Sequence, residues 1–307
     1  MPRIVVNGAA LNFRETGRGE LVVLLHGLGA HLGFWELHLV EELAARFRVV
    51  CLDLRGHGYS DMPASGYRPV DIAQDVLALF DELDADRAHL VGHSYGGAVA
   101  LELAVARPDR VASLVVADTR VRCLQPQQVL LASGAWPDFS RRMARQGVPL
   151  SDADLEIGAR LLEMLGAARW DEARQRLADR FQFLPFARGS QRRMLAKWRR
   201  LMAETTAPED FQVGSSLSPE QLALLQQPLL CVYGERSPYL ESGQRLAATA
   251  AAGRLETVAD AGHFHVLVQP ERFRREVCEF LATPHRQARH APRGERTVRN
   301  VATAVPR

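Results

Sequence analysis

Residues 88–104 read AHLVGHSYGGAVALELA, and this stretch carries the strongest indication of the fold. The apolar run 88–91 predicts a buried strand, and the run 98–104 predicts a helix. Between them lies Gly92-His93-Ser94-Tyr95-Gly96, a Gly-x-Ser-x-Gly pattern at a strand-to-helix turn. Because the two glycines lack a Cβ, strand and helix can approach closely around a serine whose hydroxyl points out above the sheet. The alternative interpretation is a serine that occurs by chance in a glycine-rich turn.

Strand and helix patterns alternate on both sides of this turn. Apolar runs at 21–25, 49–52 and 111–117 are typical of strands buried on both faces. Amphipathic patterns at 35–46 and 72–83 predict helices, and Asn7-Gly8 predicts an N-terminal hairpin. Strands that alternate with helices pair in parallel through crossover connections. The sequence therefore predicts an α/β fold with a mostly parallel sheet.

The alternation stops after Asp118. Residues 120–227 contain helical patterns and no convincing strand, and strand patterns resume at 228–234 and 255–258. We interpret residues 120–227 as a helical cap inserted into a core that residues 1–119 and 228–282 form. From residue 283, proline, arginine and small polar residues replace the apolar periodicity, which predicts a disordered, arginine-rich tail over 283–307.

Four motifs, in this order, resemble those of the α/β-hydrolase family over about residues 4–282. They are His26-Gly27-Leu28-Gly29, Asp53-Leu54-Arg55-Gly56-His57-Gly58-Tyr59-Ser60, Gly92-His93-Ser94-Tyr95-Gly96-Gly97 and Asp260-Ala261-Gly262-His263-Phe264. The resemblance implies an eight-stranded, mostly parallel sheet with helices on both faces and a cap over the carboxyl edge of the strands. It is closest to the capped, cofactor-free esterases, dehalogenases, epoxide hydrolases and haloperoxidase-like enzymes, so we expect no cofactor.

The residue at the serine turn distinguishes the chemistry within that group. Dehalogenases and epoxide hydrolases have aspartate there, whereas Ser94 indicates acyl transfer. A serine hydroxyl is a weak nucleophile until a neighbouring base takes its proton. The resemblance assigns that role to His263, which follows the last strand in the order that the fold uses; an ordinary loop histidine is the alternative. It also implies an oxyanion hole formed by the backbone N–H groups of Leu28 and Tyr95.

The third member of the catalytic triad is where the sequence departs from the family. Most members have an aspartate after the seventh strand, in the pattern Gly-x-x-Asp, but here that position is Ser237. Asp118, after the sixth strand, is the replacement that we favour, since related hydrolases carry the acid at that strand end. Glu235 is the second candidate, although it is offset by two positions. A triad without an acid is the third.

The function that these residues predict is that of a serine hydrolase acting on a small ester-like substrate, with Ser94 as nucleophile, His263 as base and Asp118 as acid. The bond could be a carboxylic ester, thioester, lactone, activated amide or carbon–carbon bond. A catalytically weak scaffold that binds a ligand under the cap is the alternative, and Ser237 is its only support. Perhydrolase activity on the same serine would be a side activity.

Composition excludes several other classes. The tail at 284–307 has six arginines and one acidic residue, so the rest of the chain is mildly acidic and shows no nucleic-acid footprint. Four cysteines suggest neither a metal site nor a disulfide framework, and no ligand pattern surrounds the histidines, so we expect no metal. The start of the chain has no apolar signal core, and no run is long enough to span a membrane. We expect a cytoplasmic protein whose partner is a small-molecule substrate.

Overall fold

The computed structural model describes residues 2–36, 38–126, 141 and 191–283. Eight strands form one sheet in the order β1-β2-β4-β3-β5-β6-β7-β8. The strands are β1 Arg3–Val6, β2 Ala9–Gly17, β3 Leu21–Leu25, β4 Arg48–Leu52, β5 Ala88–His93, β6 Val111–Ala117, β7 Leu229–Gly234 and β8 Gly253–Val258. β2 is antiparallel to β1 and to β4, and every other pair is parallel. This sheet confirms the predicted fold.

The sheet edge begins with the predicted hairpin. Asn7 and Gly8 join β1 to β2 with φ values of 46° and 74°. A two-residue hairpin turn of type I′ needs positive φ at both positions, which asparagine and glycine tolerate better than other residues. The hairpin starts the sheet in the register that pairs Val6 with Ala9.

The central strands are buried on both faces, as their continuous apolar sequences predict. In β3, Leu21, Val23 and Leu25 join one buried apolar cluster, whereas Val22 and Leu24 join a second cluster on the opposite face. Alternation of period two sends successive side chains to opposite sides. The sheet therefore separates two cores, and each needs its own layer of helices.

Helices cover both faces. On the first face lie α3 Pro69–Glu82, α4 Tyr95–Ala106, α7 Pro219–Ala223 and α8 Leu240–Thr249, and on the second lie α1 Gly33–Glu36, α2 Val40–Ala44, α9 His265–Val268 and α10 Pro270–Ala282. The single helix expected at 35–46 is instead two short ones, α1 and α2. Leu39 leaves the helical region at φ −133°, and both it and Trp35 are buried. The Leu39 amide still donates to the Trp35 oxygen at 3.1 Å, so one helical hydrogen bond spans the break.

Between β6 and β7 the structure describes α5 Gln191–Glu204 and α6 Ala207–Val213 in addition to α7. An aromatic cluster, defined by Tyr67, Trp198, Leu201, Ala207 and Phe211, joins α5 and α6 to the loop that follows β4. Residues 127–140 and 142–190 of the predicted cap and the tail at 284–307 lie outside the described residues, so the bounds of the cap and tail stay predictions. Across the described ranges, none of the helices combines the length and apolar character needed to cross a membrane.

Lys197 fastens α5 to the core. Its ammonium group donates to the backbone oxygens of Gly58 and Ser60, each at 2.7 Å, and to that of His57 at 3.3 Å. Burial lowers the pKa of this lysine. Since an ammonium has three protons, the three carbonyls match its full donor capacity and compensate for its partial loss of water.

Candidate active site

Ser94 lies at the turn between β5 and α4 with φ 54° and ψ −118°. This backbone region is strained for a residue with a side chain and costs about 1–3 kcal/mol. Residues at the end of β6 hold it there. The Ser94 amide donates to the Ala117 backbone oxygen at 2.9 Å, and the Thr119 hydroxyl donates to the Ser94 backbone oxygen at 2.9 Å. A Cβ on Gly96 would clash with the Leu25 carbonyl, so only glycine allows this approach.

Asp118 and His263 form a hydrogen-bonded pair beside this turn. His263 Nδ1 lies 2.9 Å from Asp118 Oδ1, and the Asp118 side chain is completely buried. Asp118 directly follows β6, with φ 48°, and its amide donates to the Val232 oxygen of β7 at 3.0 Å. A neutral imidazole that donates from Nδ1 keeps its lone pair on Nε2. His263 therefore has the tautomer that can accept a proton from a serine hydroxyl.

His93 contacts His263 and links it to the serine turn. The buried His93 ring donates from Nε2 to the His263 backbone oxygen at 3.0 Å, and the two ring centroids are 4.8 Å apart. His93 immediately precedes Ser94 in the chain. Its hydrogen bond to a residue 170 positions away has no local signal in the sequence.

The two other candidates for the acid position lie differently. Ser237 is buried, and its hydroxyl donates to Asp118 Oδ1. Glu235 is exposed, and its carboxylate accepts a hydrogen bond from the Asp260 amide at 2.9 Å. The structure thus brings Asp118 to His263 Nδ1 and turns the Glu235 carboxylate to a backbone amide at the surface.

The expected oxyanion residues lie on either side of Ser94. A Cβ built on Gly27 would be 3.0 Å from Ser94 Cβ, which places the loop after β3 directly against the serine. Leu28 continues that loop, and Tyr95 is the first residue of α4. The first N–H groups of a helix have no acceptor within the helix. The Leu28 and Tyr95 side chains both pack against the aromatic cluster.

Three further buried histidines shape the loops around the site. His26 Nε2 accepts from the Leu54 amide at 3.2 Å, and His57 Nδ1 donates to the Arg55 oxygen at 3.0 Å. His265 donates from Nε2 to the Val232 oxygen at 3.1 Å. Burial lowers the pKa of His26 and of His265 to about 4 and that of His57 to about 3. All three rings are therefore neutral at pH 7.

This burial predicts a loss of stability in mild acid. Each of these pKa values lies below the ordinary value of 6.5, so the unfolded chain binds more protons as the pH falls from 6.5. The free energy of unfolding should fall by up to about 1.4 kcal/mol per pH unit for each buried histidine. Urea denaturation between pH 7 and pH 5 measures the slope. His57→Gln should reduce that slope, and an unchanged slope would contradict this account.

The described residues hold no cluster of three or more histidine, cysteine or acidic side chains placed to bind a metal ion. The His263–Asp118 pair and the serine turn lie together at the carboxyl edge of the sheet. The chain matches a family model described as the alpha/beta hydrolase family over residues 22–276. The chain belongs to that family. The match confirms the resemblance that the sequence motifs carry.

Other members of the alpha/beta hydrolase family support the assignment over nearly the whole chain. RutD of Variovorax paradoxus (strain S110), provisionally named a carbamate hydrolase, is 31% identical over 86% of this chain and 92% of its own length. A hydrolase from Pseudomonas aeruginosa PA01 is 26% identical, with a TM-score of 0.64 over 92% of this chain and 98% of that one. An esterase from Exiguobacterium antarcticum, 20% identical, shares the fold with a TM-score of 0.67, covering 91% of this chain and 97% of its own.

Proposed function

We propose that this alpha/beta hydrolase is a serine hydrolase that cleaves a small carboxylic ester, thioester or lactone through an acyl-enzyme on Ser94. The observation that carries the proposal is the His263–Asp118 pair, with its 2.9 Å hydrogen bond, beside a serine held at φ 54°. A buried carboxylate at Nδ1 fixes the imidazole tautomer and stabilises the imidazolium that forms during catalysis.

Each residue has a defined task in the proposed reaction. His263 Nε2 takes the proton of the Ser94 hydroxyl as the oxygen attacks the substrate carbonyl carbon. The Leu28 and Tyr95 amides stabilise the negative oxygen of the tetrahedral intermediate, and the loss of one such donor typically costs about 3 kcal/mol. His263 then protonates the leaving group, whose departure leaves the acyl-enzyme. Water, deprotonated by His263, releases the acid and restores Ser94.

The alternative of a catalytically weak binding scaffold depended on Ser237 alone. The Asp118 carboxylate, 2.9 Å from His263 Nδ1, supports the hydrolase proposal over the scaffold. The scaffold therefore serves as an outcome of the experiment below.

A fluorophosphonate probe tests the proposal. The wild-type protein should acquire one covalent adduct, located on Ser94 by peptide mass spectrometry, and should hydrolyse p-nitrophenyl acetate or butyrate with an initial burst. Ser94→Ala should show no adduct and no burst, because the activated nucleophile is gone. Heat-denatured wild type serves as the control for nonspecific labelling. A folded wild-type protein that neither reacts with the probe nor turns over an ester would favour the scaffold.

A further inference from the structure

Ser237 makes two hydrogen bonds whose directions are fixed by chemistry. The Tyr239 amide donates to its Oγ at 3.0 Å, so that oxygen is an acceptor on one side. Its other close partner is Asp118 Oδ1, and an ionised carboxylate can only accept. The hydroxyl proton must therefore point at Asp118. The backbone of the β7 loop orients the hydroxyl before any substrate binds.

The same carboxylate oxygen thus serves two donors. Asp118 Oδ1 accepts from His263 Nδ1–H and from the Ser237 hydroxyl, while Oδ2 accepts from the Gly234 amide at 2.9 Å. Gly234 ends β7 and Ser237 lies in the loop after it, and we call residues 229–239 the β7 segment, whereas Asp118 follows β6. With the Asp118 side chain completely buried, these donors compensate for lost water and determine its orientation.

We infer that Ser237 is a positioning residue of the triad, which acts on His263 through Asp118. The inference rests on the proposed function. The hydroxyl has two effects on the pair: it holds Oδ1 toward the imidazole, and it withdraws part of the negative charge that would otherwise attract the protonated ring. Ser237, at the position where most family members have an aspartate, therefore reduces the negative charge that the Asp118 carboxylate presents to His263.

The surrounding titratable groups keep constant charge across the pH range of the test. His93 and His265 have pKa values lowered by burial, and Tyr233 and Tyr239 have pKa values raised by burial. They face the pair from β5, from α9 and from the β7 segment, with His265 Nε2 at 3.8 Å from Asp118 Oδ2 and the Tyr239 ring at 5.2 Å from that of His263. Arg120, which also acts on Tyr239, stays cationic throughout. A change in the profile between pH 5.5 and 9 therefore reports on His263 and Asp118.

The test compares two buried serines. Ser242 is also fully buried and makes two hydrogen bonds, accepting from the Val121 amide at 3.0 Å and donating to Gln125 at 2.6 Å. Both Ser237→Ala and Ser242→Ala remove a buried hydroxyl, but only the first removes a donor to Asp118. Ser237→Thr keeps a hydroxyl on the same atom and is the conservative variant.

We expect Ser237→Ala to move the acid limb of the kcat/KM profile up by about half a pH unit, because the carboxylate then holds the imidazolium more strongly. Its kcat on the alkaline plateau should fall roughly 3- to 10-fold, with KM unchanged, as the carboxylate loses a fixed contact. Ser237→Thr and Ser242→Ala should keep the wild-type limb. Titration of the His263 ring by NMR measures the same shift without substrate.

Two results would overturn the inference. One is a Ser237→Ala profile, by kinetics or NMR, that superimposes on that of Ser242→Ala. The other is a shift in Ser237→Thr equal to that in Ser237→Ala. If wild type fails to hydrolyse esters, the proposed function is wrong. If wild type hydrolyses them through Ser94 but the acid limbs of Ser237→Ala and Ser242→Ala coincide, only the role of Ser237 is wrong.

Discussion

Asp118→Asn should lower kcat for ester hydrolysis by about 10⁴-fold, the size of effect seen when a triad aspartate becomes an amide. The structure gives the reason. Oδ1 accepts from His263 and Oδ2 accepts from the Gly234 amide, so an asparagine must place its NH₂ against one of these two donors. If the NH₂ faces Nδ1, the ring must move its proton to Nε2, and it can no longer accept the proton of Ser94.

Steady-state kinetics on a p-nitrophenyl ester measure this loss, and the thermal midpoint of the variant shows whether it folds. Glu235→Gln is the matched control, since its carboxylate is exposed and bonds to the Asp260 amide. It should keep wild-type kcat. A 10⁴-fold loss in Glu235→Gln, or a loss under tenfold in Asp118→Asn, would contradict the assignment of the acid.

Removal of the Asp75 carboxylate should cost about 3–5 kcal/mol of stability, because it leaves a buried guanidinium without its partner. Arg55 donates to Asp75 through Nε and Nη2, each at 2.6 Å, and both side chains are buried. Burial alone would lower the pKa of Arg55, but the hydrogen bonds and charge of Asp75 outweigh it and raise that pKa. The guanidinium therefore stays charged in the interior.

Urea denaturation of Asp75→Ala measures the expected loss. Glu204→Gln is the control, because it breaks the ion pair of Arg200 and Glu204 at the exposed surface and should change stability little. The double variant Arg55→Leu with Asp75→Leu should be less destabilised than Asp75→Ala, since no buried charge then lacks a partner. If Asp75→Ala unfolds at the wild-type urea concentration, the ion pair does not stabilise the fold.

The strands that position the site follow from short-range patterns. Apolar runs such as 21–25 indicated buried strands, and the glycines around Ser94 indicated a tight turn, because both features depend on neighbouring residues alone. Asp118 lies 2.9 Å from His263 Nδ1 in the structure, and its role as the acid stays a prediction. The break between α1 and α2 had no signal in the sequence, since Trp35 and Leu39 keep the spacing of a continuous helix and join one buried cluster.

The polar contacts between distant segments were the least predictable part of the site. Thr119 was overlooked although it adjoins Asp118, and its hydroxyl holds the Ser94 carbonyl. Ser237 was interpreted as a missing acid, and the structure shows instead a hydroxyl aimed at Asp118. Such bonds depend on the adjacency of β6 and β7, which are separated by more than a hundred residues of sequence. The hydrophobic periodicity of strands and helices does not indicate which side chains are in contact across that distance.

The long region between β6 and β7 separates one member of the proposed triad from the other two along the sequence. Ser94 precedes the region between these strands, Asp118 is its first residue, and His263 follows it. Four register pairs, from Leu114–Leu229 to Ala117–Val232, join the two strands. The region can therefore vary in length or content without altering the spacing between nucleophile and acid. Two fragments of the chain, divided there, would each be inactive, so recovered turnover would serve as a signal of their complementation.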